Sequence, residues 1–253
     1  MSTPDSTTKT ALVTGASRGF GRAIASAFHA HGNQVIGVAR SKEQLDSLQA
    51  ELGERFTGVV GDVCDAELAE HLIHEFSPQV LVLNAGATPT ALPLQEQTWQ
   101  TFSQNWNVDT QHVFKWAKEA LRAPLAPESV VISISSGAAI GGSPLSGGYA
   151  GAKAAIRFIS QYAAAESTRA SMGIRFTALL PQITSATDLG AAGAAAYAER
   201  EGVDVETFLK RFEPLLTAEL VGRAALELSA GDVADGNGSL AYMLSGAGLR
   251  EIA

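Results

Sequence analysis

The segment that most limits how this chain can fold is LVTGASRGFGRAIA, residues 12–25. An apolar run, KTALVTG, ends at Gly15, and an amphipathic run from Gly19 to Gly32 follows it directly. Gly15, Gly19 and Gly21 are spaced G-x-x-x-G-x-G. In a strand–turn–helix unit, one such glycine permits the sharp exit from the strand. A second lets the backbone approach a pyrophosphate, and a third lets the helix pack closely on the sheet. The free amides at the helix N-terminus then face the phosphates. An ordinary glycine-containing loop is the alternative, but the order of first strand, turn and first helix favours a dinucleotide-binding unit.

The same alternation continues along the chain. QVIGVAR reads as a second strand, and SKEQLDSLQAELG as a helix with Ser41 as N-cap and Gly53 as stop. RFTGVVGDV is a third strand, Asp65 to Phe76 a helix, QVLVLNAG a fourth strand, and about Glu96 to Leu121 a long helical region. SVVISISS is a fifth strand, Gly147 to Met172 a helix and IRFTALLP a sixth strand. A helix around Pro214 to Ser229 and a last strand at SLAYMLSG close the pattern. Strands that are apolar throughout, with helices between them, predict an α/β fold with a parallel, doubly wound sheet covered on both faces. No linker-like stretch or repeat interrupts residues 1–253, so one domain is expected.

Charge and composition narrow the ligands. The formal net charge is −8, which disfavours a nucleic-acid partner. Cys64 is the only cysteine, too few for a disulfide or a thiolate metal site. His71 and His74, three apart on a helix, read as solvated or packed rather than metal-bound. The start, MSTPDSTTK, has no apolar core of a signal peptide, and no apolar run is long enough to span a bilayer. A cytoplasmic protein without membrane partners is expected.

The dinucleotide can be narrowed too. An NAD site usually carries an acid at the end of the second strand to hold the ribose 2′-hydroxyl. Here Ala39 occupies that place, Arg40 follows, and Arg18 lies in the glycine turn. Two guanidiniums and no carboxylate favour a 2′-phosphate, hence NADP(H).

A second motif is GGYAGAKAAI, in which Tyr149 precedes Lys153 by one helical turn, so phenol and ammonium share a face. Either the pair does proton chemistry, or a snorkelling lysine lies beside a packed tyrosine. At this point the sequence resembles the short-chain dehydrogenase/reductase family, in its compact single-domain form, over nearly its whole length. The turn TGASRGFG, then GDV ending in Asp62 and Val63, NAG (Asn84, Ala85, Gly86), WNVD, ISISS and YAGAK stand in the family's order.

The resemblance implies a Rossmann-like sheet of about seven strands, hydride transfer between a nicotinamide and a small-molecule carbonyl or alcohol, and a homotetramer or homodimer. It implies Tyr149 as general acid/base, with Lys153 as its activator and a ribose ligand. Ser136 is implied to bind the substrate oxygen, Ser135 being the competing choice, and Asn107 to support a water-linked proton path. Ser17, Phe20, Pro181, Ile183 and Thr187 join Gly15, Arg18, Gly19, Gly21, Arg40, Asp62, Val63, Asn84, Ala85 and Gly86 as cofactor contacts.

The chemistry suits these residue types. A phenol ordinarily titrates near about 10, and a nearby ammonium favours the phenolate, which brings the group toward general acid–base use. A serine hydroxyl can hold a carbonyl oxygen as charge develops on it.

The chain departs from the family where Pro-Gly usually follows the sixth strand. Gln182 follows Pro181 here, which leaves the local backbone path open. Residues 184–212 are expected to form a lid over the substrate. The C-terminal SLAYMLSGAGLREIA is expected to be sheet edge and subunit contact rather than active site. An NAD-preferring alcohol or hydroxysteroid-type dehydrogenase and a non-catalytic cofactor-binding regulator are the alternative readings.

Overall fold

The computed structural model describes residues 9–231 and 241–252. The N-terminal octet read above for a signal peptide therefore lies outside the described residues, as do the first two residues of SLAYMLSG.

Eight strands form one sheet: β1 (Thr10–Thr14), β2 (Gln34–Ala39), β3 (Phe56–Val60), β4 (Val80–Leu83), β5 (Val130–Ile134), β6 (Arg175–Pro181), β7 (Ala241–Ser245) and β8 (Gly248–Glu251). Their spatial order is β3-β2-β1-β4-β5-β6-β7-β8. Every pairing is parallel except β7 with β8. The strand order reverses between β1 and β4, and in open α/β sheets the crevice beyond the strand C-termini at that point is where ligands bind.

The period-2 geometry of β1 shows why its residues are apolar throughout. Ala11 and Val13 face one buried layer, with Ile24 and Phe28 of α1 (Gly19–Ala30), Leu45 and Leu48 of α2 (Lys42–Leu52) and Val221 of a C-terminal helix. Leu12 faces the other layer, with Leu72 of α3 (Ala66–Phe76) and Trp116. Trp116 is fully buried and satisfies its indole N–H on the Val63 carbonyl at 2.9 Å.

Local signals held where they had a cap behind them. Ser41 caps α2 by accepting from the Gln44 N–H, and Gly53 ends it at φ +78°. Asp65 caps α3 in the same way, accepting from Glu67.

Three expectations change. The helical region expected from Glu96 is two helices, α4 (Trp99–Asn105) and α5 (Gln111–Arg122), joined by a π-helical turn at Trp106–Thr110. The Thr98–Thr101 capping box fixes the later start. The sheet has eight strands rather than about seven, because Gly246 and Ala247 turn the chain back into a short antiparallel edge strand. The remaining helices are α6 (Ala138–Gly141), α7 (Gly147–Arg169), α8 (Asp188–Glu201), α9 (Val205–Leu209) and α10 (Ala218–Ala230). The last therefore begins after Pro214 rather than at it. No helix among the described residues is long and apolar enough to cross a membrane.

Candidate active site

A cleft of about 1470 Å³ runs along the strand C-termini, from Arg40 and Gln44 at one end to Tyr197 and Phe208 at the other. That exceeds the space a single drug-sized ligand fills, on the order of 300–1,000 Å³, so a cofactor and a substrate fit together.

The glycine turn forms one wall. Gly15 leaves β1 at φ +68°, a left-handed conformation that costs a glycine little. Gly19 sits at φ +53°, against the methyl of Thr187. Gly21 does not line the cleft. It lies beneath the turn, where a Cβ would stand 2.0 Å from the Gly15 carbonyl oxygen and 2.5 Å from Asn84 Nδ2. Its missing side chain is what lets α1 start against the turn, with the helix N-terminus opening on the cleft.

Asn84 and its neighbours brace this wall. Thr14 Oγ1 accepts from the Asn84 and Ala85 N–H groups at 2.9 and 3.3 Å, and Asn84 Nδ2 donates to the Thr14 and Gly15 carbonyls. Ser17, Arg18, Phe20, Arg40, Asp62, Val63, Ala85 and Gly86 all line the same cleft. Arg40 is exposed and has no carboxylate partner among the described residues, whereas Arg18 makes an exposed contact of 3.4 Å to Asp188.

On the opposite wall, α7 carries Tyr149 and Lys153. The ammonium lies 5.6 Å from the centre of the Tyr149 ring and donates to the Ile134 carbonyl at 3.1 Å. Lys153 is buried, and burial opposes its charge. The attraction of Asp109 and Tyr149 outweighs that cost and holds the ammonium above the usual lysine range. Snorkelling toward water is thereby excluded.

The two serines separate clearly. Ser135 is buried and its hydroxyl donates to the Lys153 carbonyl at 2.7 Å, so its proton is committed to bracing α7. Ser136 lines the cleft and its oxygen accepts from the Ala138 N–H at 3.2 Å, leaving its own proton without an acceptor among the described residues.

Asn107 does not belong to this group. It is exposed, lines no part of the cleft, and its amide donates to Ser103 Oγ at 3.5 Å. The π-helical turn faces it outward, and the inward place beside Lys153 belongs to Asp109, whose Oδ2 is 3.1 Å from the ammonium. A signal for this was present: Asp109, His112, Val113, Trp116 and Ala120 form the buried stripe, and Asn107 lies off it with exposed Gln111 and Phe114.

Pro181, Ile183 and Thr187 line the cleft. Gln182 does so without a glycine because its N–H extends the sheet, donating to the Leu244 carbonyl at 2.8 Å, and its φ is not positive. Thr187 caps α8 by accepting from the Gly190 N–H at 3.1 Å. Residues 184–212 contribute Ala186, Leu189, Tyr197 and Phe208 to the wall of the cleft. There Tyr197 stacks on Phe208, and its hydroxyl meets Ser143 beside α7. The C-terminal hairpin, expected to stay clear of the site, contributes Met243, Ser245 and Arg250 to the cleft. No group of three or more metal-ligating side chains exists among the described residues.

Comparison with known proteins agrees with this geometry. The family model described as short chain dehydrogenase matches residues 9–197. A serine 3-dehydrogenase from Agrobacterium fabrum is 33% identical over 184 residues, covering 68% of this chain and 70% of that protein. The 3-oxoacyl-[acyl-carrier-protein] reductase FabG of Haemophilus influenzae is 32% identical over 189 residues, covering 72% and 76%. Among solved structures, levodione reductase superposes with a TM-score of 0.82 at 22% identity, covering 94% of this chain and 96% of the other. A 3-ketoacyl-(acyl-carrier-protein) reductase from Brucella melitensis complexed with NADH gives 0.77 at 22%, covering 94% and 97%. The chain belongs to the short-chain dehydrogenase family of oxidoreductases.

Proposed function

We propose that this chain is an NADP(H)-dependent oxidoreductase that interconverts a small-molecule carbonyl (a ketone, aldehyde or 3-oxoacyl group) and the corresponding alcohol. The observation that carries the reading is convergence. Tyr149, Lys153 and Ser136 face one cleft whose other wall is a glycine turn with a helix N-terminus, with Gly15 and Gly19 lining it and the side-chain-free Gly21 letting the helix start against it. A bound nicotinamide supplies the hydride.

The chain's own residues supply position and a proton. The uncommitted hydroxyl proton of Ser136 is free to hydrogen-bond the substrate oxygen. Tyr149 gives that oxygen its proton in reduction and takes it back in oxidation, with Lys153 stabilising the phenolate in between. Gly15, Ser17, Arg18, Gly19, Phe20, Asp62, Val63, Asn84, Ala85, Gly86, Pro181, Ile183 and Thr187 bind the cofactor, while Gly21 acts through the packing of the turn. Arg40, beside Ala39 and without a carboxylate partner, favours a 2′-phosphate.

The same reading includes a second copy of the chain. Trp106, Phe114, Phe158 and Tyr162 expose 41%, 52%, 50% and 69% of their surface on the π-helical turn, α5 and α7, a large apolar set for an isolated protein.

The test is NADPH consumption against ketones, aldehydes, 3-oxoacyl thioesters and ketosteroids, run beside Tyr149→Phe. Turnover is expected with at least one class, and its loss in the variant with cofactor binding kept. Unchanged turnover in Tyr149→Phe would refute the acid/base role, and binding without any reduction across the panel would favour a regulator.

A further inference from the structure

Lys153 has a second charged neighbour besides Tyr149, and it is buried. Asp109 and Lys153 expose 1% and 6% of their side chains, and Asp109 Oδ2 stands 3.1 Å from Nζ. The contact is an ion pair off the hydrogen-bond line, since Oδ2 has no well-aligned donor. Oδ1 is pinned instead, accepting from the Ala87 N–H at 2.8 Å and from Asn105 Nδ2 at 3.3 Å. Asn105 also donates to the Ala87 carbonyl at 2.7 Å, which ties the loop after β4 to α4. A Cβ on Gly86 would come within 2.7 Å of Oδ2, so that glycine admits the carboxylate.

We propose that Asp109 is a positioning residue that keeps both protons on the Tyr149–Lys153 pair, so that the site still delivers a proton at a pH where an uncompensated tyrosine–lysine pair would have lost it. The proposal rests on the acid/base reading of Tyr149 given above.

Two interacting groups titrate as a pair, with protonation steps that belong to both. A fixed negative charge beside the pair raises its affinity for each proton, whichever group holds it. The direction therefore does not depend on how the protons are shared, and burial leaves the charge weakly screened. Other charged groups around the pair do not cancel it. His112, from α5, is held neutral, with burial and Lys153 lowering its pKa to about 3. Lys115, also from α5, donates to the Cys64 carbonyl. Asp62, beyond β3, is exposed and adds negative charge, and burial first and Asp62 second push the Cys64 thiol up and keep it uncharged.

The test is Asp109→Asn, which keeps the side chain's size and an oxygen for the Ala87 N–H. The alkaline limb of carbonyl reduction and the rising limb of alcohol oxidation are both expected to move toward acid by about one pH unit or more. Asp109→Glu should bring the limbs back toward the wild type. A merely structural role would lower kcat without moving either limb, and unmoved limbs in folded, cofactor-binding Asp109→Asn would overturn the proposal.

If that variant does not fold, Asp109→Ser gives the same reading. The tyrosinate absorbance that Tyr149→Phe lacks supplies an independent one: it should rise at lower pH in Asp109→Ser than in the wild type, and an unmoved rise in the folded variant would overturn the proposal. Full activity in Tyr149→Phe defeats the underlying catalytic reading. An inactive Tyr149→Phe with unmoved limbs in Asp109→Asn defeats only the role of Asp109.

Discussion

Replacing Gly21 by alanine asks one methyl group to enter a space that backbone already fills. The Cβ would stand 2.0 Å from the Gly15 carbonyl oxygen, where ordinary contact begins at 3.4 Å. The obstacle is the turn itself and not a flexible side chain, so α1 must draw back by about 1.4 Å or the turn must unfold. Overpacking of this kind typically costs about 1–3 kcal/mol, and a rigid neighbour places it at the upper end. Alanine recovers about 1 kcal/mol through helix propensity. The net loss is about 2 kcal/mol, or roughly 4–8 °C in Tm for a chain of this size.

The effect on cofactor binding should be larger than the effect on stability. Displacing the start of α1 by more than 1 Å takes its amides out of the roughly 2.7–3.2 Å range of hydrogen bonding to a phosphate. Each such charge-assisted bond is worth about 1.5–3 kcal/mol, so Kd for NADPH should rise at least about tenfold. Calorimetry and NADPH fluorescence titration read the two effects. Gly32→Ala is the control: its φ of +96° makes alanine strained, but nothing lies within 4 Å, so Tm should fall while Kd holds. Wild-type Tm and Kd in Gly21→Ala would show that α1 does not rest on the turn.

Three further outcomes follow from other parts of the molecule. Arg40→Ala should weaken NADPH binding by about ten- to a hundredfold and leave NADH binding nearly unchanged, the difference being one charge-assisted contact; equal losses for both cofactors would remove Arg40 from the 2′-phosphate. His112 is fully buried with neither ring nitrogen in a good hydrogen bond, and its folded pKa of about 3 lies below the unfolded value of 6.5. Its contribution to stability is therefore fully present above pH 6.5 and is lost as pH falls toward 3, at about 1.4 kcal/mol per unit. His112→Leu should flatten the acid side of a urea-denaturation series, and an unchanged slope between pH 6 and 4 would contradict the assignment. Sedimentation velocity should show the chain self-associated at micromolar concentration, with Phe158→Asp shifting it toward monomer; a monomeric wild type would leave the apolar face of α5 and α7 without a second copy.

The parts of the fold that were legible in the sequence were those with a local cause. Ser41, Gly53 and Asp65 set helix ends through their own hydrogen bonds or dihedral angles, and β1 showed its double burial by having no polar residue among Ala11, Leu12 and Val13. Strand β8 was not legible, because Gly-Leu-Arg-Glu is too short and polar to announce itself and exists through pairing with β7. The same pairing sets Arg250 opposite Met243 and takes this end of the chain to the cleft. Gly21 was legible as a packing glycine but not as one hidden from the cleft, since only the path of the turn distinguishes the two.

Asn107 shows where matching a motif fails and periodicity would have succeeded. WNVD offers an amide that looks like the family's, and that likeness alone singled out Asn107. A helical side chain acts only on the side it faces, and the phase of that helix is set by its apolar residues, Val113, Trp116 and Ala120, which put Asp109 inside and Asn107 outside. The consequence reaches the chemistry. An amide in the inward place would offer Lys153 only a dipole, whereas the carboxylate found there pairs with it at 3.1 Å in a buried site. In the low dielectric of that site a full charge acts on every protonation step of its neighbours, and an amide does not. The carboxylate therefore sits at the position from which the protons of Tyr149 and Lys153 are most directly governed.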